Sequence, residues 1–128
     1  MKTLALRLLV CSVLLSLLAC AKTPPAPPED PYRWIAAEGA WYGEMFHGRK
    51  TASGEVFDMR LSTGAHSELA LGTVVEVKNP QNNTIVRVTI NDRANEDRGV
   101  DLLLSKAAAE KLGLVRERRF QVEYRLAR

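Results

Sequence analysis

Cysteine is nearly absent from this 128-residue chain, occurring only as Cys11 and Cys20. Cys11 lies inside an N-terminal apolar run, so loss of that run leaves Cys20 alone and excludes an internal disulfide. Histidine is as scarce, with His47 and His66 the pair. Together with Asp92 they lack the close ligand spacing of known zinc sites, so neither a metal nor a cofactor is expected. Charge of one sign is missing too. The formal net charge is +3, and Arg116, Arg118, Arg119, Arg125 and Arg128 are interleaved with Glu117 and Glu123, the pattern of a solvated face. That basic stretch carries no interleaved aromatics, which argues against nucleic acid as a partner. No internal repeat or low-complexity segment follows Pro31.

What is present begins with an address. Lys2 and Arg7 precede an apolar run, Leu8 to Leu18, and Leu17-Leu18-Ala19-Cys20 forms a lipobox. The run is too short to stay in a bilayer as a spanning helix, so residues 1–19 read as a cleaved lipoprotein signal peptide. Cys20 is the expected lipidation site, each buried methylene of the acyl chains contributing about 0.8 kcal/mol to membrane binding. Ala21 rather than Asp after the cysteine fits the sorting rule that sends bacterial lipoproteins to the outer membrane. The expected location is therefore the periplasmic face of the outer membrane of a Gram-negative bacterium. Residues 20–31 hold five prolines and read as a polyproline tether, rising about 3.1 Å per residue and spanning roughly 30 Å. The folded domain is then 32–128, sufficient for one small core and expected to be a monomer.

Within it, Thr84 to Arg93, TIVRVTINDR, alternates Val86, Val88 and Ile90 against Arg87, Thr89 and Asn91. This two-residue period predicts a half-buried strand. The strand ends in Asn91-Asp92-Arg93, which delivers a carboxylate where a rigid element can aim it into a cleft. The same residue types also start turns. Trp34 to Tyr42 reads as a first strand interrupted at Gly39, Phe46 to Gly54 as a surface loop, and Glu55, Phe57 and Asp58 as a reopened extended segment. Thr63 to Glu68 reads as one helical turn carrying His66. Thr73 to Lys78 should pair with the Thr84 strand through the Asn79-Pro80-Gln81-Asn82-Asn83 turn. Val100 to Leu104 is an apolar run, Ser105 a helix cap, Gly113 a helix stop. Phe120 to Leu126 alternates as a last strand. Five or six short strands with one or two small helices indicate a small closed barrel.

Trp41-Tyr42-Gly43, Phe46-His47-Gly48-Arg49, Thr51-Ala52, Gly54-Glu55, Phe57-Asp58, Ala65-His66, Leu71-Gly72-Thr73, Asn91-Asp92-Arg93 and Ser105 to Gly113 occur in that order through nearly the whole domain. Together they resemble the rare lipoprotein A (RlpA) family of bacterial septal lytic transglycosylases. The resemblance implies a mainly β fold, a six-stranded double-psi β-barrel with one or two short helices. It also implies cleavage of peptidoglycan glycan strands stripped of stem peptides. The family's catalytic His and Asp fall on His66 and Asp92. Tyr42, Trp41, Glu55 and Arg93 become candidate glycan contacts, and His47 a structural or substrate contact. A free aspartic acid, with a reference pKa of about 3.9, is a poor acid at neutral pH. Burial must therefore raise Asp92, and Arg93 must point elsewhere.

The chain departs from the family in three places. Ala94-Asn95 replaces Gly-Pro after Asn-Asp-Arg, Ala70 replaces a proline, and Leu103 stands where the family has a second Asp. A two-residue slip of the strand would bring Asp101 into that second acid position. The alternative function is a glycan-binding or wall-loosening barrel module without turnover.

Overall fold

The computed structural model describes residues 29–95 and 98–128; the expected signal peptide, the expected lipidation site Cys20 and the expected tether through residue 28 lie outside the described residues. Six strands and one helix follow in chain order: β1 (Ile35–Tyr42), β2 (Thr63–His66), β3 (Val74–Asn79), β4 (Thr84–Asp92), β5 (Leu102–Ser105), α1 (Lys106–Lys111) and β6 (Arg119–Leu126). They close into a barrel in the order β1-β5-β2-β4-β3-β6. β1 and β5 run parallel, as do β2 and β4, and the other four neighbours are antiparallel. Among the described residues each strand has a hydrogen-bonded neighbour on either side, so the barrel has no edge strand.

The barrel forms because alternate residues of these strands are branched and apolar. Val75, Val77, Val88, Ile90, Leu102, Leu104, Phe120 and Val122 point inward and are buried. Each contributes about 1.5–3 kcal/mol of transfer free energy. Ala108, Leu112 and Leu114 close one end of this core. Ser105 ties α1 to the barrel: its Oγ accepts from the Ala108 and Thr63 amides, each at 3.3 Å, and donates to the Leu61 carbonyl at 2.6 Å. At the other end of the helix, Asn79 and Asn82 from the β3–β4 turn donate their side-chain amides to the Leu112 carbonyl. The asparagines that make the hairpin thus also cap the helix.

Two expectations from the sequence are corrected. Thr63–His66 is a strand rather than a helical turn, because β4 and β5 flank it and satisfy its backbone on both sides. Gly39 does not interrupt β1. The strand runs through it, and the glycine is required there because a Cβ would sit 2.5 Å from Phe120 Cε2. The extended segment 55–58 carries an antiparallel bridge, Lys50↔Val56.

Candidate active site

The parallel register of β2 on β4 slips by one residue. Gly64 faces Ile90, but Ala65 faces Asp92, so Asn91 is an extra residue in β4. Strict alternation from Val88 and Ile90 would carry Asp92 onto the core face; the bulge re-aims it. Asn91 takes up the buried position instead, 3% exposed, and its Nδ2 donates to Glu55 Oε2 at 3.4 Å. Asp92 Oδ1 accepts from the Ala52 amide at 3.0 Å and from the Arg93 amide at 2.9 Å. Among the described residues no hydrogen bond engages its Oδ2. The Ala52 donor comes from the glycine-bounded loop, which docks on the strand end through a further bond from Ser53 N to Asn91 O. Loop and strand therefore fix one oxygen of the carboxyl group and leave the other for chemistry.

Asp92 belongs to a row that crosses four strands: Asp92 on β4, Ala65 on β2, Leu103 on β5 and Ala40 on β1. This row floors a groove of about 680 Å³. Small side chains at 40 and 65 keep the floor low enough for a flat ring. Trp41, Tyr42, Met45 and Phe46 form one wall, and Arg98, Arg118 and Arg119 are also among its lining residues. Tyr42 is stacked on Phe57 at 4.4 Å and meets Phe46 edge-on. Among the described residues its buried Oη has no hydrogen-bond partner. Burial first, and the Asp92 carboxylate second, hold the phenol above its usual range. It therefore stays protonated at any working pH, a donor without an acceptor beside the carboxyl group. Trp41 packs on the core and also lines the groove, with its Nε1 donating to the Glu117 carbonyl.

Among the described residues no hydrogen bond or ion pair joins His66 to Asp92, and the two side chains line different spaces. Successive residues of a strand point to opposite faces, so while Ala65 floors the groove, His66 opens into a second recess with Tyr124, Asp101 and Glu68. Val100 lines both spaces. His66 Nδ1 accepts from the Glu68 and Leu69 amides at 3.0 and 3.1 Å. That assigns the proton to Nε2, which donates to Tyr124 Oη at 3.2 Å. Arg93 lies between the two spaces and turns from Asp92, donating to the His66 and Leu69 carbonyls. Nor does Asp101 reach the groove. β5 keeps the ungapped register, with Leu103 against Ala40, and Asp101 pairs instead with Glu38, donating its amide to the Glu38 carbonyl and accepting the Glu38 amide on Oδ2 at 2.8 Å. His47 accepts from the Met59 amide, which makes it a loop brace.

The buried imidazole has a measurable consequence. Burial lowers the His66 pKa; Glu68 and Asp101 oppose this, and Arg93 reinforces it. The unfolded chain therefore takes up this proton first as pH falls through about 6.5. The stabilisation is present above that value and is lost as pH falls toward the folded-state pKa. Thermal unfolding from pH 7.5 to 5 should show this loss, and His66→Asn, which keeps an acceptor for the two amides, should flatten it.

Of the groove arginines, Arg118 and Arg119 lie in a charge run that reads as solvated surface. Neither the wall made by Arg98 and Arg118 nor the Ala52 contact leaves a local mark in the sequence.

Comparison with known proteins agrees with this architecture. Residues 35–124 match the family model described as lytic transglycolase. A probable endolytic peptidoglycan transglycosylase RlpA from Aquifex aeolicus is 47% identical over 85 residues, covering 66% of this chain and 38% of that protein. The endolytic peptidoglycan transglycosylase RlpA of Neisseria meningitidis is 46% identical over 80 residues, 61% of this chain and 33% of its own length. The chain thus spans between a third and two-fifths of these relatives. Among solved structures, the Streptomyces papain inhibitor superposes with a TM-score of 0.62 at 20% identity, covering 78% of this chain and all of that one. An expansin from Clavibacter michiganensis gives 0.59 at 21%, covering 75% and 51%. These likenesses bear on the fold alone, a double-psi β-barrel. With most of the folded domain inside the family match, the chain belongs to the RlpA family of lytic transglycolase barrels.

Proposed function

We propose that the chain is a lytic transglycosylase that cuts the bond between N-acetylmuramic acid and N-acetylglucosamine in peptide-free peptidoglycan strands, leaving a 1,6-anhydro end. The observation that carries this is Asp92, fixed through one oxygen at the floor of an open groove. A glycoside hydrolase needs two carboxyl groups; an internal transfer can run on one. Asp92 donates its proton to the departing glycosidic oxygen as the C1–O bond breaks, then takes the proton of the muramyl C6 hydroxyl as that oxygen bonds to C1. Atoms balance without water. Leu103, in the row where the family has an acid, leaves Asp92 as the one carboxyl group of the groove floor among the described residues. The relatives' names support the substrate class. The lipobox ending at Cys20 supports a lipid tether at the periplasmic face of the outer membrane, where such strands lie.

Incubation with peptide-free strands and mass analysis of the products tests the proposal. Release of 1,6-anhydro ends supports it. A second reading, a binding module without turnover, is favoured by Leu103; tight retention on the strands with no cleavage would establish it.

Tyr42→Phe separates chemistry from packing. Removing a buried hydroxyl that lacks a partner should leave the melting temperature unchanged or slightly higher. Cleavage should slow about tenfold if the phenol donates to the reacting sugar or to Asp92. Parallel melting and product-release assays read the two effects.

A further inference from the structure

Among the described residues, the lining of the groove carries more positive than negative charge, and the proton transfer does not use the excess. Its charged lining residues are Arg93, Arg98, Arg118 and Arg119 against Glu44 and Asp92. Three of these six are already committed. Arg93 is spent on the His66 and Leu69 carbonyls, Glu44 on Lys106, and Arg119 on Glu38 and on the carbonyls of Arg98 and Gly99. Arg119 thereby also fixes the backbone of Arg98 against the barrel. The guanidinium groups of Arg98 and Arg118 are exposed, and among the described residues neither has a partner.

We infer that Arg98 and Arg118 form a carboxylate-recognition subsite, and that its ligand is the free lactyl carboxylate of muramic acid. Given the proposed glycan substrate, on which this inference rests, the chemistry is selective. A stem peptide converts that carboxylate into a neutral amide; removal of the peptide restores the negative charge. A planar guanidinium presents paired donors that match a carboxylate's two oxygens, and its charge survives at any pH. Two of them on the lining of a concave groove concentrate an anionic chain there. They also offset the repulsion between that chain and Asp92. The groove thus reads the absence of the peptide through a charge that appears when the peptide leaves.

Binding of the full chain in detergent micelles to two preparations of the same peptide-free strands tests this. In one the carboxylates are free; in the other they are coupled to methylamine. The parent chain should bind the free form more tightly, with a preference that shrinks as salt rises. The double variant Arg98→Gln, Arg118→Gln should lose about tenfold in affinity for the free form and nothing for the amidated form. Its melting temperature should match the parent's, because neither side chain holds the fold. Equal affinity of the parent for both preparations, or an equal loss on both, overturns the subsite and leaves the glycan reading standing. Absence of binding to either preparation overturns both.

Discussion

Asp92→Asn should lower the release of 1,6-anhydro ends by about 10²–10⁴-fold, the range expected for loss of a positioned acid and base. The fold should survive it. An asparagine Oδ1 occupies the same position, so the Ala52 and Arg93 amides keep their acceptor, and the residue is only partly buried. Strand binding should survive as well, because the amide restores no proton-transfer group and removes no groove wall. Loss of products with retained binding and an unchanged melting curve assigns the proton to this side chain. Turnover close to the parent's would remove Asp92 from the chemistry.

Gly39→Val should produce the largest loss of stability among simple substitutions in β1. A Cβ there would lie 2.5 and 2.9 Å from two ring atoms of Phe120 and 3.4 Å from Val122 Cγ2, and Phe120 belongs to the buried core. Overpacking of this kind typically costs about 1–3 kcal/mol. In a domain of this size each kcal/mol shifts the melting temperature by about 4–8 °C. Phe120→Leu in the same chain removes the obstructing ring and should recover part of the loss. A double variant no better than Gly39→Val alone would show that the strain lies in the backbone of β1.

Much of the architecture was legible from local pattern. The alternation of Val86, Val88 and Ile90, the asparagine turn before them, and the pair Ser105 and Gly113 each encode their element within a few residues. β2 was not legible. Thr63-Gly64-Ala65-His66 has no apolar alternation, and it is extended because strands distant in sequence flank it on both sides. Asp92 could be picked out as the end of a strand, but its direction depends on the extra residue at Asn91, which is visible only in the pairing. The same pairing sends His66 to the recess beyond Ala65. Leu103 at the second acid position was readable by counting, and the register agrees with the count. Arg98 and Arg118 carried no such mark, because barrel closure brings two surface charges from separate segments to one groove.

The seam that closes the barrel has a consequence for synthesis. β1 is held by β5 and β6, with Gly39 opposite both Leu102 and Phe120. The first strand is made long before either neighbour and stays without both partners until β5 and β6 are available to it. Chains that have not yet delivered β6 should therefore stay soft to protease and aggregation-prone. A truncation ahead of residue 119 should never acquire the groove.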